Sequence, residues 1–139
     1  MIIDHKQFGT TKLNSAEKVY EILKEVHSKV KGFDRDKEHF YVIGLTRRIT
    51  IRYIDLISVG SLTFTAAEPR EIYRMAVHQA AGIIIIAHTH PSGNLEPSEV
   101  DKKLTNKIRE AGRILAIEMI DHIIFTDEGF YSFANEVVI

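Results

Sequence analysis

Two histidines and an aspartate lie close together in this sequence, at spacings that suit a metal ion. His88 and His90 are two residues apart, so their side chains point the same way in an extended backbone. Imidazole nitrogens and carboxylate oxygens bind zinc at about 2.0–2.2 Å. Gly93 and two nearby prolines turn the chain sharply, so Asp101, at the start of a predicted helix, can return toward the histidines. The spacing predicts a metal site built from His88, His90 and Asp101.

The number and type of these ligands favour a catalytic site over a structural one. Two histidines and one carboxylate leave one position of a tetrahedral zinc ion open for water, whose pKa zinc lowers toward about 7. The chain has no cysteine, which excludes thiolate ligands, a cysteine nucleophile and a thiolate-bound zinc deaminase site. The predicted cofactor is Zn²⁺, although the donor set by itself does not select zinc over iron or manganese.

Ser98 and Asp101 also have a purely structural interpretation. A serine at the N-cap followed three residues later by an acid forms a capping box. Helical spacing nevertheless places Asp101 on an inward-facing stripe that it shares with three apolar residues: Leu104, Ile108 and Leu115. Because a buried carboxylate needs a partner, we predict that Asp101 faces the histidines. Ser98 is predicted both to cap the helix and to point its hydroxyl at the site.

The surrounding elements predict an α/β domain. Apolar periodicity predicts helices over residues 14–30, 69 to about 81, and 98 to about 111. Asn14 and Glu17 have capping-box spacing at the first helix, and Gly112 is the predicted end of the last one. Apolar runs predict strands over residues 39–45, 49–59, 83–87, 114–120, 122–126 and 130–133.

The order of these elements predicts a three-layer α/β/α sandwich with a mixed central sheet. The four consecutive isoleucines at 83–86 are typical of a central strand that is buried on both faces. A polar loop is predicted over residues 88–97, and an irregular lead-in over residues 1–13. The chain of 139 residues predicts one domain, with residues 1–37 forming the lead-in and first helix and residues 38–134 the core.

The composition of the chain argues against a nucleic acid or a membrane as its partner. The net charge of −1 lacks the positive excess that free-standing nucleic-acid binders usually carry. The first residues do not open a signal peptide, and the longest wholly apolar run, residues 83–87, is too short to span a bilayer. These features predict a cytoplasmic protein without a membrane partner.

The order His-x-His, seven residues, Ser, two residues, Asp resembles the JAMM motif of metalloproteases with the MPN fold. The chain is similar, more narrowly, to the RadC family of bacterial JAMM-like domains in four segments: HTHPSG, EHFYVIGL, PREIYRMAV and DHIIFTDEGFYSFA. This likeness covers roughly residues 38–134. It implies an MPN/JAB-like fold of cytidine-deaminase-like architecture. It also implies zinc-dependent hydrolysis of a peptide or isopeptide bond in a protein or peptide substrate.

The resemblance also implies roles for individual residues. JAMM proteins carry a glutamate at the start of an early strand that acts as general base, and Glu38 stands in the corresponding place. The zinc ligands of the family match His88, His90 and Asp101. Ser98 matches the serine that helps to stabilise the oxyanion of the tetrahedral intermediate.

Two other functions stay open. Longer RadC proteins carry an N-terminal helix-hairpin-helix region of the kind that binds DNA, whereas fewer than forty residues precede Glu38 here. A DNA-associated module, related to DNA repair or mobile elements and with a metal-dependent or non-catalytic role, is therefore the alternative, and the near-neutral charge argues against it. A non-catalytic scaffold is disfavoured because all the motif residues are present.

The remaining polar residues have mostly structural interpretations. Surface or hydrogen-bonded structural roles are predicted for His5, His27, His39, His78 and His122, although His122 with Asp121 could instead support the metal ligands. A solvated turn is predicted for Arg47, Arg48 and Arg52. The solvent-exposed face of the helix after the site is predicted to carry Lys102, Lys103, Lys107, Arg109 and Arg113. Residues 63–67 and Ser92 resemble a substrate-binding rim only in their position along the chain.

Overall fold

The computed structural model describes residues 1–30, 32–60 and 68–136 of the chain. Its helices are α1 (Ala16–His27), α2 (Pro69–His78) and α3 (Glu99–Leu115). Its strands are β1 (Ile2–Ile3), β2 (His39–Leu45), β3 (Ile51–Val59), β4 (Ile83–Thr89), β5 (Glu118–Thr126) and β6 (Gly129–Ser132). Two short 3₁₀ helices span Lys6–Phe8 and Gly32–Asp36.

The strands form a single mixed sheet in the order β1-β3-β2-β4-β5-β6. β4 and β5 run parallel, and every other neighbouring pair is antiparallel. A parallel pair needs a crossover connection, which here contains α3. The carboxyl ends of β4 and β5 therefore lie at the same edge of the sheet, next to the start of α3.

Helices cover both faces of this sheet, which confirms the predicted three-layer arrangement. One face packs against α1 through a cluster that includes Val19, Leu23, Val26, Tyr41, Ile43 and Ile85. The other face packs against α2 and α3 through a cluster that includes Phe40, Val42, Ile72, Tyr73, Ile84, Ile86 and Ile108. Alternate isoleucines of β4 enter opposite clusters, so this strand is buried on both faces as its apolar run predicted.

The beginning of the chain differs from the prediction. Residues 1–13 are not a wholly irregular lead-in, because β1 pairs with β3 at the edge of the sheet. The cap of α1 is Ser15, whose Oγ accepts a hydrogen bond from the backbone N–H of Lys18. The predicted capping box of Asn14 and Glu17 was therefore wrong by one residue. Both Asn14 and Ser15 are good N-caps, and local sequence alone does not distinguish them.

Helix α3 is longer than predicted because Gly112 does not end it. The helix continues to Leu115, and Ala116 takes the left-handed conformation at its end, with φ 58°. Gly112 is buried where an added Cβ would overlap the Tyr73 hydroxyl and the Ile117 carbonyl oxygen. This glycine therefore allows a close approach between α3, α2 and the returning chain, which helical periodicity does not reveal.

The ends of three further elements, β5, α2 and β3, also differ from the prediction. The predicted strand over residues 114–120 begins only at Glu118 and continues without a break to Thr126, with a register irregularity opposite Ile84 and Ile85. Leu115 is 46% exposed and is not part of the inward stripe of α3. The buried positions of that helix are Asp101, Thr105, Ile108 and Gly112. α2 ends at His78, and β3 begins at Ile51 because Ile49 has a positive φ.

His27 has the hydrogen-bonded structural role that was predicted for it, and it should make stability depend on pH. It is buried at the end of α1, with its Nδ1 2.8 Å from the Tyr41 hydroxyl. Burial lowers the pKa of His27 to about 4, with help from the nearby His39 and Arg35. Because this value lies below the ordinary pKa of about 6.5, the associated stability is fully present above pH 6.5 and is lost as the pH falls toward 4.

We expect acidification from pH 7.5 to 4.5 to lower the free energy of unfolding by about 2–3 kcal/mol through His27 alone. The control is His27→Asn, whose amide oxygen can accept the Tyr41 hydrogen bond but does not titrate. Urea unfolding in the presence of a chelator at both pH values should show a larger loss of stability in the wild type. An equal loss in the two proteins would contradict this assignment.

Candidate metal centre

The two histidines lie at the carboxyl end of the central strand β4. His88 is inside the strand and is completely buried, so the loop predicted to begin at this residue starts two residues later. Thr89 lies between them on the opposite face, where its Oγ1 accepts a hydrogen bond of 2.9 Å from the backbone N–H of His39. The alternation of side chains in extended backbone therefore directs His88 and His90 to one side of the sheet. Thr89, on the other side, is hydrogen-bonded to the neighbouring strand β2.

Asp101 reaches the same point from the first turn of α3. The Ser98 Oγ accepts a bond of 3.1 Å from the Asp101 backbone N–H, and the Asp101 Oδ2 accepts one of 2.8 Å from the Ser98 backbone N–H. This reciprocal pair is the predicted capping box. The Asp101 carboxylate also lies 3.2 Å from His88 Nε2 through Oδ1 and 3.3 Å from His90 Nε2 through Oδ2. Capping and approach to the histidines thus occur together.

The separations between these atoms fit a tetrahedral metal ion. Ligands bonded at about 2.0–2.1 Å to a tetrahedral ion stand about 3.3–3.4 Å apart. The two nitrogen-to-carboxylate distances are 3.2 and 3.3 Å, and the Nε2 atoms of His88 and His90 are 3.0 Å apart. The three side chains therefore form a group that could hold one metal ion, as the sequence predicted.

The loop after β4 orients His90. Its Nδ1 lies 2.6 Å from the carbonyl oxygen of Asn94. A carbonyl only accepts hydrogen bonds, so Nδ1 carries a proton, and in the neutral form of the ring Nε2 is the atom that has a lone pair for a metal ion. Gly93, with φ 86°, permits the tight turn, and its N–H donates to the His90 carbonyl at 2.9 Å.

The electrostatics of this group favour a positive charge, either a proton or a metal ion, between the three side chains. The hydrogen bond with Asp101 raises the pKa of His90 against the effect of burial, with further help from the Asn94 carbonyl and the charge of Glu38. Burial alone would raise the pKa of Asp101, but its hydrogen bonds with His88 and His90 hold it well below its usual range. Three electron-pair donors about 3 Å apart repel one another unless a proton or a metal ion lies between them.

The site opens into a cleft of about 840 Å³ that also contains the other two predicted site residues, Glu38 and Ser98. Glu38 immediately precedes β2, and its carbonyl accepts a 2.8 Å bond from the Gly60 N–H. The antiparallel register pairs Phe40 with His88, so continuing it by two residues sets Glu38 opposite His90. The structure therefore brings four of the five predicted residues to the lining of this cleft, and the fifth, His88, is buried in contact with His90 and Asp101.

A third histidine lies behind the site. His122 is fully buried on β5, with its Nε2 2.8 Å from His88 Nδ1 and its ring stacked on Phe133 at 4.6 Å between centroids. Burial holds its pKa well below the ordinary value, so the ring is neutral. His122 is therefore a hydrogen-bonded histidine of the core, within the structural role predicted for it, and its contact with His88 is the one that the alternative, support for the proposed ligands, requires.

Asp121 does not share in that support. Its carboxylate accepts hydrogen bonds from the Ser132 hydroxyl at 2.6 Å and from the backbone of His122 and Ala134. It therefore stabilises the β5–β6 hairpin. A signal for His122 existed in the sequence, as a histidine within an apolar strand, but its position beside His88 depends on the parallel pairing of β4 and β5.

The predicted basic groups lie away from the cleft. Arg47, Arg48 and Arg52 are exposed at the end of β2 opposite to Glu38, as expected for a solvated turn. The exposed side of α3 carries Lys102, Lys103, Lys107, Arg109 and Arg113. Ser92 lines the cleft, whereas the rest of the predicted rim, residues 63–67, lies outside the described residues. Among the helices of the described ranges, none is long and apolar enough to cross a membrane.

Comparison with known proteins places these features in a family. The family model described as RadC-like JAB domain matches residues 13–138. A UPF0758 protein of Chlorobium chlorochromatii is 42% identical over 100 residues, which are 72% of this chain and 45% of the relative. A UPF0758 protein of Chlorobium phaeovibrioides is 33% identical over 131 residues, or 94% of this chain and 56% of the relative.

A UPF0758 protein of Moorella thermoacetica is 42% identical over 97 residues, which are 70% of this chain and 42% of the relative. The chain thus spans about half the length of the curated relatives it matches. The match of the family model over nearly all of the sequence, together with the fold, confirms the resemblance noted from the motif. The chain belongs to the RadC-like JAB domain family.

Proposed function

We propose that this domain is a metal-dependent hydrolase, with zinc as its metal and a peptide or isopeptide bond as its substrate. The observation that carries the proposal is the convergence of His88, His90 and Asp101, at separations of 3.0–3.3 Å, beside a cleft that also contains Glu38 and Ser98. Two histidines and one carboxylate, with access to solvent, are the donor set of a catalytic rather than a structural zinc site.

The site residues have complementary roles in this reaction. Zinc held by the three ligands would supply Lewis acidity, which polarises a carbonyl and makes water more acidic. The Glu38 carboxylate takes a proton from the attacking water as the new carbon–oxygen bond forms. It then returns that proton to the amine nitrogen as the carbon–nitrogen bond breaks, so the products are a carboxylic acid and an amine.

Ser98 can serve the helix and the reaction together. Its capping bond uses a lone pair of Oγ and not the hydroxyl proton. That proton can therefore be donated toward the cleft, where it would stabilise the charge that develops on the carbonyl oxygen. The site thus has an acid–base group and a hydrogen-bond donor on elements that the sheet and the capping box hold in place.

The lining of the cleft favours a peptide over a nucleic acid. Its charged residues include Asp36, Glu38 and Glu96 together with Lys37. Lys37 lies 3.5 Å from Asp34, which offsets its charge. Nucleic-acid binding relies on positive side chains that neutralise phosphates. The negative side chains of this lining would instead repel the phosphates. The openness and size of the cleft suit an extended protein segment.

Metal analysis combined with substrate screening tests the proposal. Protein purified without chelators should contain about one zinc per chain, and His88→Ala should remove most of it. The matched control is His78→Ala, which removes an exposed histidine from α2. The zinc-loaded wild type should cleave members of a peptide and isopeptide library, and a chelator should stop the cleavage.

Two outcomes would contradict the proposal. One is a folded wild-type protein that neither contains zinc nor binds it when titrated. The other is a fully zinc-loaded protein that cleaves nothing in the library. Tight, salt-sensitive binding to DNA would favour the alternative of a DNA-associated module.

A further inference from the structure

A chain of hydrogen bonds runs behind the candidate metal centre through Thr105 and His122, which have no role in the proposed reaction. The Thr105 Oγ1 lies 2.8 Å from the Asp101 carbonyl oxygen and 2.6 Å from His122 Nδ1. The other ring nitrogen of His122, Nε2, lies 2.8 Å from His88 Nδ1. Thr105, His122 and His88 are each at most 1% exposed. The chain therefore connects the backbone of one proposed ligand to the ring of another without access to water.

The direction of every bond in this chain follows from its first member. A carbonyl oxygen has no proton, so the 2.8 Å contact with Asp101 requires the Thr105 hydroxyl to donate. The Thr105 oxygen must then accept from His122, which places the single proton of that neutral ring on Nδ1. The Nε2 of His122 is left with a lone pair and accepts from His88, whose Nδ1 must carry a proton.

This order determines what His88 offers to the cleft. With a proton fixed on Nδ1, the neutral form of the ring can have its lone pair only on Nε2, the atom 3.2 Å from Asp101 and 3.0 Å from His90. The opposite tautomer would direct an N–H bond at the place where a cation must bind. Histidine tautomers are commonly set by the partner of the second ring nitrogen.

We propose that Thr105 and His122 are positioning residues that hold His88 in the tautomer able to bind a metal through Nε2. The inference rests on the proposed function insofar as it takes His88 to be a metal ligand. Packing supports the same arrangement, because His122 stacks on Phe133 and His88 lies parallel to Phe40, with planes 12° and 9° apart. Both rings are therefore held against rotation, and only the proton positions are left for Thr105 to set.

Nuclear magnetic resonance of the metal-free wild type tests the tautomer directly. Long-range ¹H–¹⁵N correlation spectra of chelator-treated protein distinguish a protonated ring nitrogen from a bare one. We expect a proton on Nδ1 of both His88 and His122, with a coupling across the hydrogen bond from His88 Nδ1 to His122 Nε2. A proton on His122 Nε2 facing a bare His88 Nδ1 would overturn the proposal, whatever the activity of the enzyme.

Variants then test the effect on metal binding. Thr105→Val keeps the shape of the side chain and removes the hydroxyl, so we expect the tautomers of both rings to mix and zinc affinity to fall about 10–100-fold. Thr105→Ser restores the hydroxyl and should restore both. Zinc affinity is measured by competition with a chromophoric chelator, which requires no substrate.

Ser132→Ala is the matched control, because it also removes a buried hydroxyl near β5 but one that bonds to Asp121. It should lower stability without changing the tautomer of His88 or zinc affinity. A folded Thr105→Val protein with wild-type tautomer and affinity would overturn the proposal. A protein with the expected tautomer and zinc affinity that hydrolyses nothing would instead refute only the proposed function.

Discussion

Replacing Asp101 with asparagine should lower zinc affinity by about 100- to 1,000-fold. Apparent zinc binding energies of about 10–16 kcal/mol, shared among four ligands, correspond to about 2.5–4 kcal/mol for each ligand. Asparagine keeps an oxygen that can accept the Ser98 N–H bond of 2.8 Å, so the capping box can survive. The substitution therefore removes the negative charge from between the two histidines with little change in shape. Titration with zinc against a competing chelator measures the loss.

The matched control for this variant is Glu99→Gln, which makes the same change of charge in the same first turn of α3. Glu99 is exposed and pairs with Lys102 at 3.3 Å. We expect zinc affinity to stay within about twofold of the wild type, since an exposed ion pair contributes little. Wild-type affinity in Asp101→Asn would remove Asp101 from the ligand set. An equal loss in both variants would indicate a general effect of charge at the start of the helix.

Replacing Glu38 with glutamine should lower the hydrolysis rate by about 10²- to 10⁴-fold while zinc content stays near one per chain. Glutamine is nearly isosteric with glutamate, but its amide cannot take a proton from water. Glu38 is also held by its backbone, through the Gly60 N–H and the strand that follows it, so the exchange should not disturb the cleft. Turnover is measured on any substrate that the library screen identifies, and zinc by metal analysis of the same sample.

Glu96→Gln is the control, because Glu96 lines the same cleft and is exposed. Its removal lowers the negative charge of the cleft by the same amount and should leave turnover nearly unchanged. An unchanged rate in Glu38→Gln would exclude Glu38 as the general base. A similar loss in both variants would show that the total charge of the cleft matters and not the proton transfer.

The meeting of the three proposed ligands was predictable because their spacing is encoded locally. His88 lies near the end of β4 and His90 follows directly after it, two residues away, while Ser98 and Asp101 occupy the capping-box positions at the start of α3, so each pair can be read from its own segment. Their meeting required only a turn in between. The layers of the fold were predictable for a similar reason, since the isoleucines of β4 and the apolar stripes of the helices each indicate which side is buried.

The support behind the centre was harder to predict because it depends on contacts between segments. His122 lies beside His88 only because β5 pairs in parallel with β4 in one particular register. Thr105 is one helical turn beyond Asp101, and its threonine hydroxyl has no distinctive pattern in sequence. Gly112 was predicted to end a helix because glycine commonly does so. Its role in the fold is instead to leave space for Tyr73, which no local pattern shows.

All three proposed metal ligands lie between residues 88 and 101, on either side of a single turn. An ion there would tether only a short loop, and closing a short loop restricts the unfolded chain less than closing a long one. The two apolar clusters on either side of the sheet contain none of these ligands. Gain or loss of the ion should therefore change the mobility of the loop between the ligands, while the three-layer sandwich stays folded. The domain should then be folded both with and without its metal.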